Sequence, residues 1–443
     1  MKKLLLLLTM VLMTYTVQSQ VFLEDTTTQV QLDTVELVGI RADKTTPVSQ
    51  ITVTSAEIQQ MYYGQEMNYI LEKTPSITTY SDNGTQTGYT YFRLRGIDQT
   101  RINMTLNGVP LNEPEDQGVY FSNYPNFATN IKSMQIQRGV GTSTNGTSSF
   151  GGSVNYESNF GLEKQTEFEL SYGSWNTSMG NFKYGSGLSK NGKWSGYFNL
   201  SGFNTDGYRY HSGGKGYLGF LGVQYLGETE TVKLTAFSGG SNNEMAWFGV
   251  SEEDIENDPR TNYNSPDADD NFKQTLVMTE YTKRFNSTNK ISGTVFYNRL
   301  DGDWDLYVGD MLNFGLYSNF YGLIGNYNVK PKDFDINVGI STNFYDRHHS
   351  MVVLPDEDFN IYENVGNKNE YSAYAKAKYD ISKFTLFGDI QYRYVTFKYD
   401  GHVPMEKQDW NFFNPKFGIT YSVDKNLNFY TSIGLSHREP TRS

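Results

Sequence analysis

From about Ser153 onward the chain keeps a period of two over long stretches. Phe334, Ile336, Val338, Ile340 and Phe344 alternate with Asp335, Asn337, Gly339, Ser341 and Asn343. Tyr371, Ala373, Ala375, Ala377 and Tyr379 alternate with Ser372, Tyr374, Lys376, Lys378 and Asp380, and the same pattern returns around Phe384, Leu386, Ile390 and Tyr392. Successive side chains of a strand point to opposite faces, so each segment has one apolar and one polar side. A charge such as Asp335 or Asp389 inside such a strand fits a sheet with lipid on one side and a wet lumen on the other. About ten residues is also the length at which a tilted strand crosses a bilayer. Short turns at 330–333, 381–383 and 424–426 alternate with longer loops, as periplasmic turns and extracellular loops do. A soluble sandwich or propeller is the competing fold. No blade motif recurs to support it, and the inner faces are polar. The pattern therefore points to an all-β transmembrane barrel.

The start of the chain agrees. Lys2 and Lys3 precede an apolar run from Leu4 to Met13, and Val17-Gln18-Ser19 offers a small-residue cleavage site. This reads as a secretory signal peptide over 1–19, because the apolar run is too short for a membrane helix. Removing Lys2 and Lys3 from the 37 Lys and Arg leaves 35 against 49 Asp and Glu, a net charge of −14. So acidic a chain does not read as a nucleic-acid binder. It has no cysteine, which excludes disulfides, thiolate metal sites and a lipoprotein anchor.

Between signal and barrel lies a different kind of sequence. Three short β-prone runs, 91–94, 102–106 and 132–137, are separated by long polar loops. Met134 and Ile136 alternate with Ser133, Gln135 and Gln137 as in a half-buried strand, and Asn107-Gly108 is a strong turn signal. Thr54 and Glu57 form a capping box that opens a helix running through Ile58, Met61, Met67, Ile70 and Leu71 and stopping before Pro75. This is a small α+β domain. The Gly-rich run from Gly139 to Gly152 lacks the Gly-Lys-Ser/Thr of a phosphate loop, and reads as a tight hinge into the barrel.

The order Arg95-Gly96, Leu106-Asn107-Gly108-Val109-Pro110-Leu111, Ile136-Gln137-Arg138-Gly139 and Gly151-Gly152-Ser153-Val154-Asn155 resembles the plug domain of TonB-dependent outer-membrane receptors. The resemblance implies a signal peptide at 1–19, a flexible lead with a TonB box at 20–40, a plug at 41–152 and a partial barrel at 153–443. About fourteen strand candidates follow the plug, against about twenty-two in transporters with a plugged lumen. The expectation is thus an incomplete barrel, an N-terminal fragment of a longer receptor, ending in an Arg438-Glu439-Pro440 motif that related receptors carry inside the barrel.

The same resemblance assigns roles. Asp33, Thr34, Val35, Glu36, Leu37 and Val38 match the TonB box, an extended segment able to add a strand to the periplasmic energy transducer TonB. The loops at 80–89 and 112–120 correspond to plug apices that touch substrate. Asp82, Asn83, Gln86, Tyr89, Asn112, Glu113, Glu115, Asp116, Gln117 and Tyr120 are the expected ligand contacts, with amides and carboxylates to hydrogen-bond and tyrosines as amphipathic surfaces. Arg95 and Arg138 match arginines that latch the plug to barrel carboxylates, and Glu439 is an expected partner. Two further features carry weaker signals. The acidic loop at 242–271 has calcium-type oxygen ligands but no EF-hand spacing, and reads as a solvated loop. His348-His349 suits haem or a metal, but is read first as a surface pair. No metal site, cofactor or catalytic constellation is expected. The implied function is TonB-powered import of an iron-siderophore, haem or cobalamin ligand through outer-membrane lipid. The alternative is a signalling or adhesion barrel that does not transport.

Overall fold

The computed structural model describes residues 41–142, 149–355 and 360–442. The signal peptide, the lead and the box at Asp33–Val38 lie outside the described residues.

The smaller part is built on a five-stranded mixed sheet. Its strands are β1 (Ser49–Thr54), β5 (Ile102–Leu106), β6 (Val109–Pro110), β7 (Ile131–Arg138) and β8 (Gly152–Ser158), in the order β1-β7-β8-β5-β6. β8 pairs antiparallel with β7 and parallel with β5. A second sheet holds β2 (Ile77–Ser81), β3 (Thr90–Leu94) and β4 (Ile97–Asp98). Met104, Leu106, Met134, Ile136, Val154 and Tyr156 are all fully buried and form the centre of the core. β7 departs from the half-buried strand expected of it, because its polar side is buried too. There Gln135 exchanges hydrogen bonds with the backbone of Ala42, at 2.8 and 2.9 Å. The buried amides thus have partners, as buried polar groups must.

The capping box forms as expected at α1 (Ser55–Met61), with Thr54 accepting from the Glu57 amide and the Glu57 carboxylate reaching back to the Thr54 amide. The single helix expected through Leu71 is instead two. Gly64 takes φ +117° and breaks the path, and α2 (Met67–Leu71) starts afresh. A side chain at Gly64 would meet Met179 of the barrel wall, so the break also allows a close approach.

Among the described residues, the strands from Lys164 to Gly434 form one antiparallel sheet of 13, each paired with its sequence neighbours. They are β9 (Lys164–Tyr172), β10 (Ser178–Ser186), β11 (Trp194–Thr205), β12 (Gly214–Leu226), β13 (Glu230–Glu244) and β14 (Asp269–Arg284). β15 (Asn289–Tyr307), β16 (Met311–Val329), β17 (Phe334–Leu354), β18 (Asn360–Ile381), β19 (Phe384–Asp400), β20 (Gln408–Ser422) and β21 (Asn428–Gly434) follow. β8, which the sequence placed at the start of the barrel, belongs to the inner sheet.

The alternation is inside out relative to a soluble protein. Val338 and Ile340 are exposed while Asn337, Ser341 and Asn343 between and beside them are buried. Aromatic pairs meet on the outer surface at two levels, the short-turn end and the middle of the long strands. Trp194–Tyr225, Phe334–Tyr379 and Phe384–Tyr421 lie at the short-turn end, and Tyr321–Phe344 and Tyr371–Tyr394 lie toward the other. Two aromatic girdles around an apolar band are what a bilayer selects. Turns 227–229, 285–288, 330–333 and 382–383 are short, whereas the opposite end carries 206–213, 245–268 and 401–407. The long-loop end is therefore the extracellular one. The 245–268 segment contains a short helix, α3 (Glu252–Asn257), capped by Ser251.

Candidate functional site

The inner domain lies against the concave wall, and two kinds of contact hold it there. The first is aromatic and apolar. Tyr124 and Phe127 pack on Phe237 of β13 at 4.9 and 6.2 Å, and Tyr156 meets Phe121 and Phe127 edge-on from beneath. Phe220 of β12 and Tyr197 of β11 extend the patch, and Tyr197 donates to the Thr129 carbonyl at 3.0 Å. Amides ring it: Asn107 donates to Thr235 at 3.0 Å, Asn123 to Gln274 at 3.2 Å, and Asn199 to Thr129 and Asn130 at 2.8 Å each.

The second contact is electrostatic and lies on β16 to β18. The loop at 112–117 is folded on itself. Asn112 accepts from the Met104 amide at 2.7 Å and donates to the carbonyls of Ile102 and Gln117. Gln117, in the left-handed region at φ +61°, donates to the Pro114 carbonyl at 2.9 Å. This rigid turn presents three acids to the wall. Glu113 is 3 % exposed and accepts from Tyr345 at 3.1 Å, with Ser318 and Gln274 at 3.4 Å. Glu115 meets His349 at 2.8 Å and Arg442 at 3.5 Å. Asp116 pairs with Arg347 at 2.9 Å, and Lys368 donates to the Pro114 carbonyl at 2.6 Å.

These surroundings act on the two glutamates in opposite ways. Burial pushes Glu113 up to about 7, against the pull of Arg347, because no cation bonds it directly. Burial also disfavours the charge of Glu115, but the His349 hydrogen bond and the neighbouring guanidinium groups outweigh it and hold the group below the usual carboxylate range.

The loop at 80–89 has a different character. Asn83 closes it internally, accepting from Thr85 and donating to the Thr87 carbonyl. The Gln86 side chain accepts from Tyr63, and its carbonyl accepts from the Glu66 amide at 2.9 Å. Burial raises the Asp82 carboxyl, although Tyr91 bonds it, and the Asp82 carbonyl accepts from Arg209 of the 206–213 loop at 3.2 Å. Tyr89 sits edge-on to Tyr120 at 6.2 Å and to Trp247 at 5.3 Å. Trp247 continues to Trp304 at 5.2 Å, and Trp304 stacks on Phe314 at 4.1 Å. A half-buried aromatic array thus joins the inner domain to the extracellular rim. Tyr89 and Tyr120 of the array are half-buried and Gln86 is exposed, while Asn83, Asn112, Glu113, Glu115 and Gln117 are buried in loop or wall contacts.

The expected arginine latch is placed differently. Arg138 donates to Ser49 at 3.2 Å and lies close enough to Arg95 for the two charges to repel. Among the described residues no ion pair joins either arginine to a carboxylate. Glu439 instead meets Lys368 at 2.6 Å and Arg393 at 3.2 Å, and Arg393 forks onto Glu370 at 2.9 and 3.0 Å. The reason is register. Lys368, Glu370 and Arg393 all point into the lumen beside the segment carrying Glu439, while Arg95 and Arg138 sit at the far end of their strands.

The histidine pair also divides. Adjacent residues of β17 face opposite ways, so His349 is buried against Glu115 while His348 stacks on Tyr317 outside. The pair is therefore not a surface pair. Within 245–268, Asp254 accepts from Ser251 and Tyr263, and Asp258 from the Arg260 amide. Among the described residues no three His, Asp or Glu side chains converge to hold a metal ion. Sequence reasoning passed over Arg347, Lys368, Arg393 and Trp304. The lumen face of β17, read as Asn343, Tyr345, Arg347 and His349 at a period of two, carried the signal for the first.

Comparison with known proteins bears on both parts. Residues 42–153 match the family model described as the TonB-dependent receptor plug domain, and residues 225–443 match the TonB dependent receptor-like β-barrel. Among solved structures, the ferric citrate transporter FecA in its unliganded form aligns with a TM-score of 0.75 at 16 % identity, over 88 % of this chain and 62 % of that one. The ferric-catecholate import receptor Fiu from E. coli K12 gives 0.73 at 15 % identity, over 89 % and 70 %. The copper transporter OprC gives 0.72 at 14 % identity, over 88 % and 63 %. At these identities the likeness is one of fold, and the chain spans less than two thirds of the FecA structure. No curated protein matches.

Proposed function

Because the chain belongs to the TonB-dependent receptors, proteins of the bacterial outer membrane, we propose that it serves energy-dependent import of a scarce, bulky ligand of the iron-siderophore, haem or cobalamin kind. The ligand meets the aromatic array at Tyr89, Tyr120, Trp247 and Trp304 from outside. TonB takes hold of Asp33, Thr34, Val35, Glu36, Leu37 and Val38 on the periplasmic side and pulls, the plug shifts, and the ligand passes along the wall. No bond of the ligand is made or broken.

One observation carries this reading: the plug is seated on the lumen wall by contacts of unequal kind. Toward β11–β13 they are aromatic and close-packed, and toward β16–β18 they are ion pairs and hydrogen bonds. Water or a polar ligand can replace the second kind at small net cost, since a hydrogen bond exchanged for another contributes only about 1 kcal/mol. The polar side therefore yields first, and the plug leaves the aromatic side only as the pull continues and the ligand passes.

Deleting 34–38 in the full-length receptor tests the proposal. Uptake of the ligand is expected to stop while binding at the cell surface survives. Undiminished uptake contradicts TonB-driven import, and a signalling barrel would keep binding and show no uptake before or after the deletion.

A further inference from the structure

The three acids of the plug loop fill a place that is itself shaped for an anion. Arg347, His349 and Lys368 are 5, 6 and 7 % exposed, and project from neighbouring positions of β17 and β18 into the lumen. Each meets one group of the loop: Asp116, Glu115 and the Pro114 carbonyl. The fit leaves donors over. Arg347 has five N–H groups. Its NH1 bonds Asp116, yet its Nε is buried with no partner. A contact whose only purpose was to hold the plug would gain by using those donors.

We propose that Arg347, His349 and Lys368 form an anion site on the barrel wall, that the Glu113–Asp116 turn occupies it at rest in place of the ligand, and that the carboxylate or similar oxyanion groups of an anionic metal chelate take it over as the plug moves. This rests on the import reading above and narrows its ligand class. A planar guanidinium beside an imidazole and an ammonium suits a polycarboxylate, which can be bound at two oxygens by the guanidinium alone. The exchange also has an energetic logic. Withdrawing the turn would strand the buried Arg347 guanidinium, whereas Lys368 keeps Glu439 at 2.6 Å. An anionic ligand removes that penalty by replacing one carboxylate with another, so its arrival favours plug release. A neutral chelate lacks this differential affinity and cannot shift the equilibrium in that way.

The exchange site and a plain tether respond differently to substitution. Binding of ferric citrate, as the anionic probe, and of a neutral ferric trihydroxamate is measured on the full-length receptor by tryptophan quenching. In the exchange site the plug acids compete with the probe. E115Q/D116N is then expected to bind ferric citrate roughly ten-fold more tightly and R347Q/K368Q roughly ten-fold more weakly, within the usual range of coupling between sites. The neutral chelate should respond to neither pair. Should R347Q/K368Q fail to assemble, H349Q replaces it with the same expected direction. Shifts of the same sign in both variants, or no shift in either, overturn the proposal. So does a receptor that binds the neutral chelate and not the anion, or one whose wild type and E115Q/D116N both fail to bind ferric citrate. Import itself is judged separately by the 34–38 deletion, which leaves the wall untouched.

Discussion

Glu113 and Glu115 stand two residues apart on one turn and respond to pH in opposite directions. Glu113 is raised to about 7 by burial, so between its ordinary value near 4.5 and 7 the seated plug holds a proton that the unfolded chain has lost. Stability from this group therefore falls as pH rises through that window, by roughly 3 kcal/mol in all. Glu115 is depressed, so its contribution is present above its ordinary value and is lost as pH falls through its folded one. On these two groups the seated plug should be most stable near pH 4.5, where the two opposing slopes cancel. E113Q is expected to flatten the alkaline side of the Tm–pH curve of the full-length receptor. An unchanged slope above pH 6 would remove Glu113 from the account. Arg393 offers a second test. It is fully buried and forks onto Glu370 while also meeting Glu439. R393M should cost about 3–5 kcal/mol in chemical unfolding, and R393M/E370L should recover part of the loss, because the penalty comes from stranded carboxylates. At this scale the sequence was hardest to read. His348 and His349 look alike in the chain, and only the strand's period of two separates them. The acids at 113–116 looked like solvated ligand contacts because their partners lie more than two hundred residues away.

Elements were far more legible, since each is governed by local rules. The capping box at Thr54 and the strands of the inner domain stand where residue pattern put them. Gly64 escaped notice because its φ +117° and its closeness to Met179 are tertiary facts. The barrel strands show how much a period conveys: the apolar residues of β17 proved to be the exposed ones, as a lipid-facing strand requires. Ile340 is 58 % exposed within the apolar band. I340R should destabilise the folded receptor in bilayers by about 2–4 kcal/mol, the usual cost of a charge on the lipid face near the midplane. In its neighbour β16 the lumen-facing Ser318, bonded to Glu113 at 3.4 Å, should lose far less on change to alanine. Equal losses at both positions would contradict the assigned faces.

Taken whole, the molecule is a plug domain docked on the inner wall of a 13-stranded sheet, and its family was legible once the plug motifs were set in order. Which wall residues meet the plug was not, because facing surfaces are matched by three-dimensional register and leave no short-range trace. On the proposed import route the plug must move against this wall for the ligand to pass. The chain has no cysteine, so a single engineered pair is unambiguous. Thr129 of the plug and Asn199 of β11 already touch through their side chains at 2.8 Å. In the full-length receptor carrying T129C and N199C, ligand uptake should stop on oxidation and return on reduction, while surface binding stays constant throughout. Undiminished uptake with the disulfide fully formed would contradict that route.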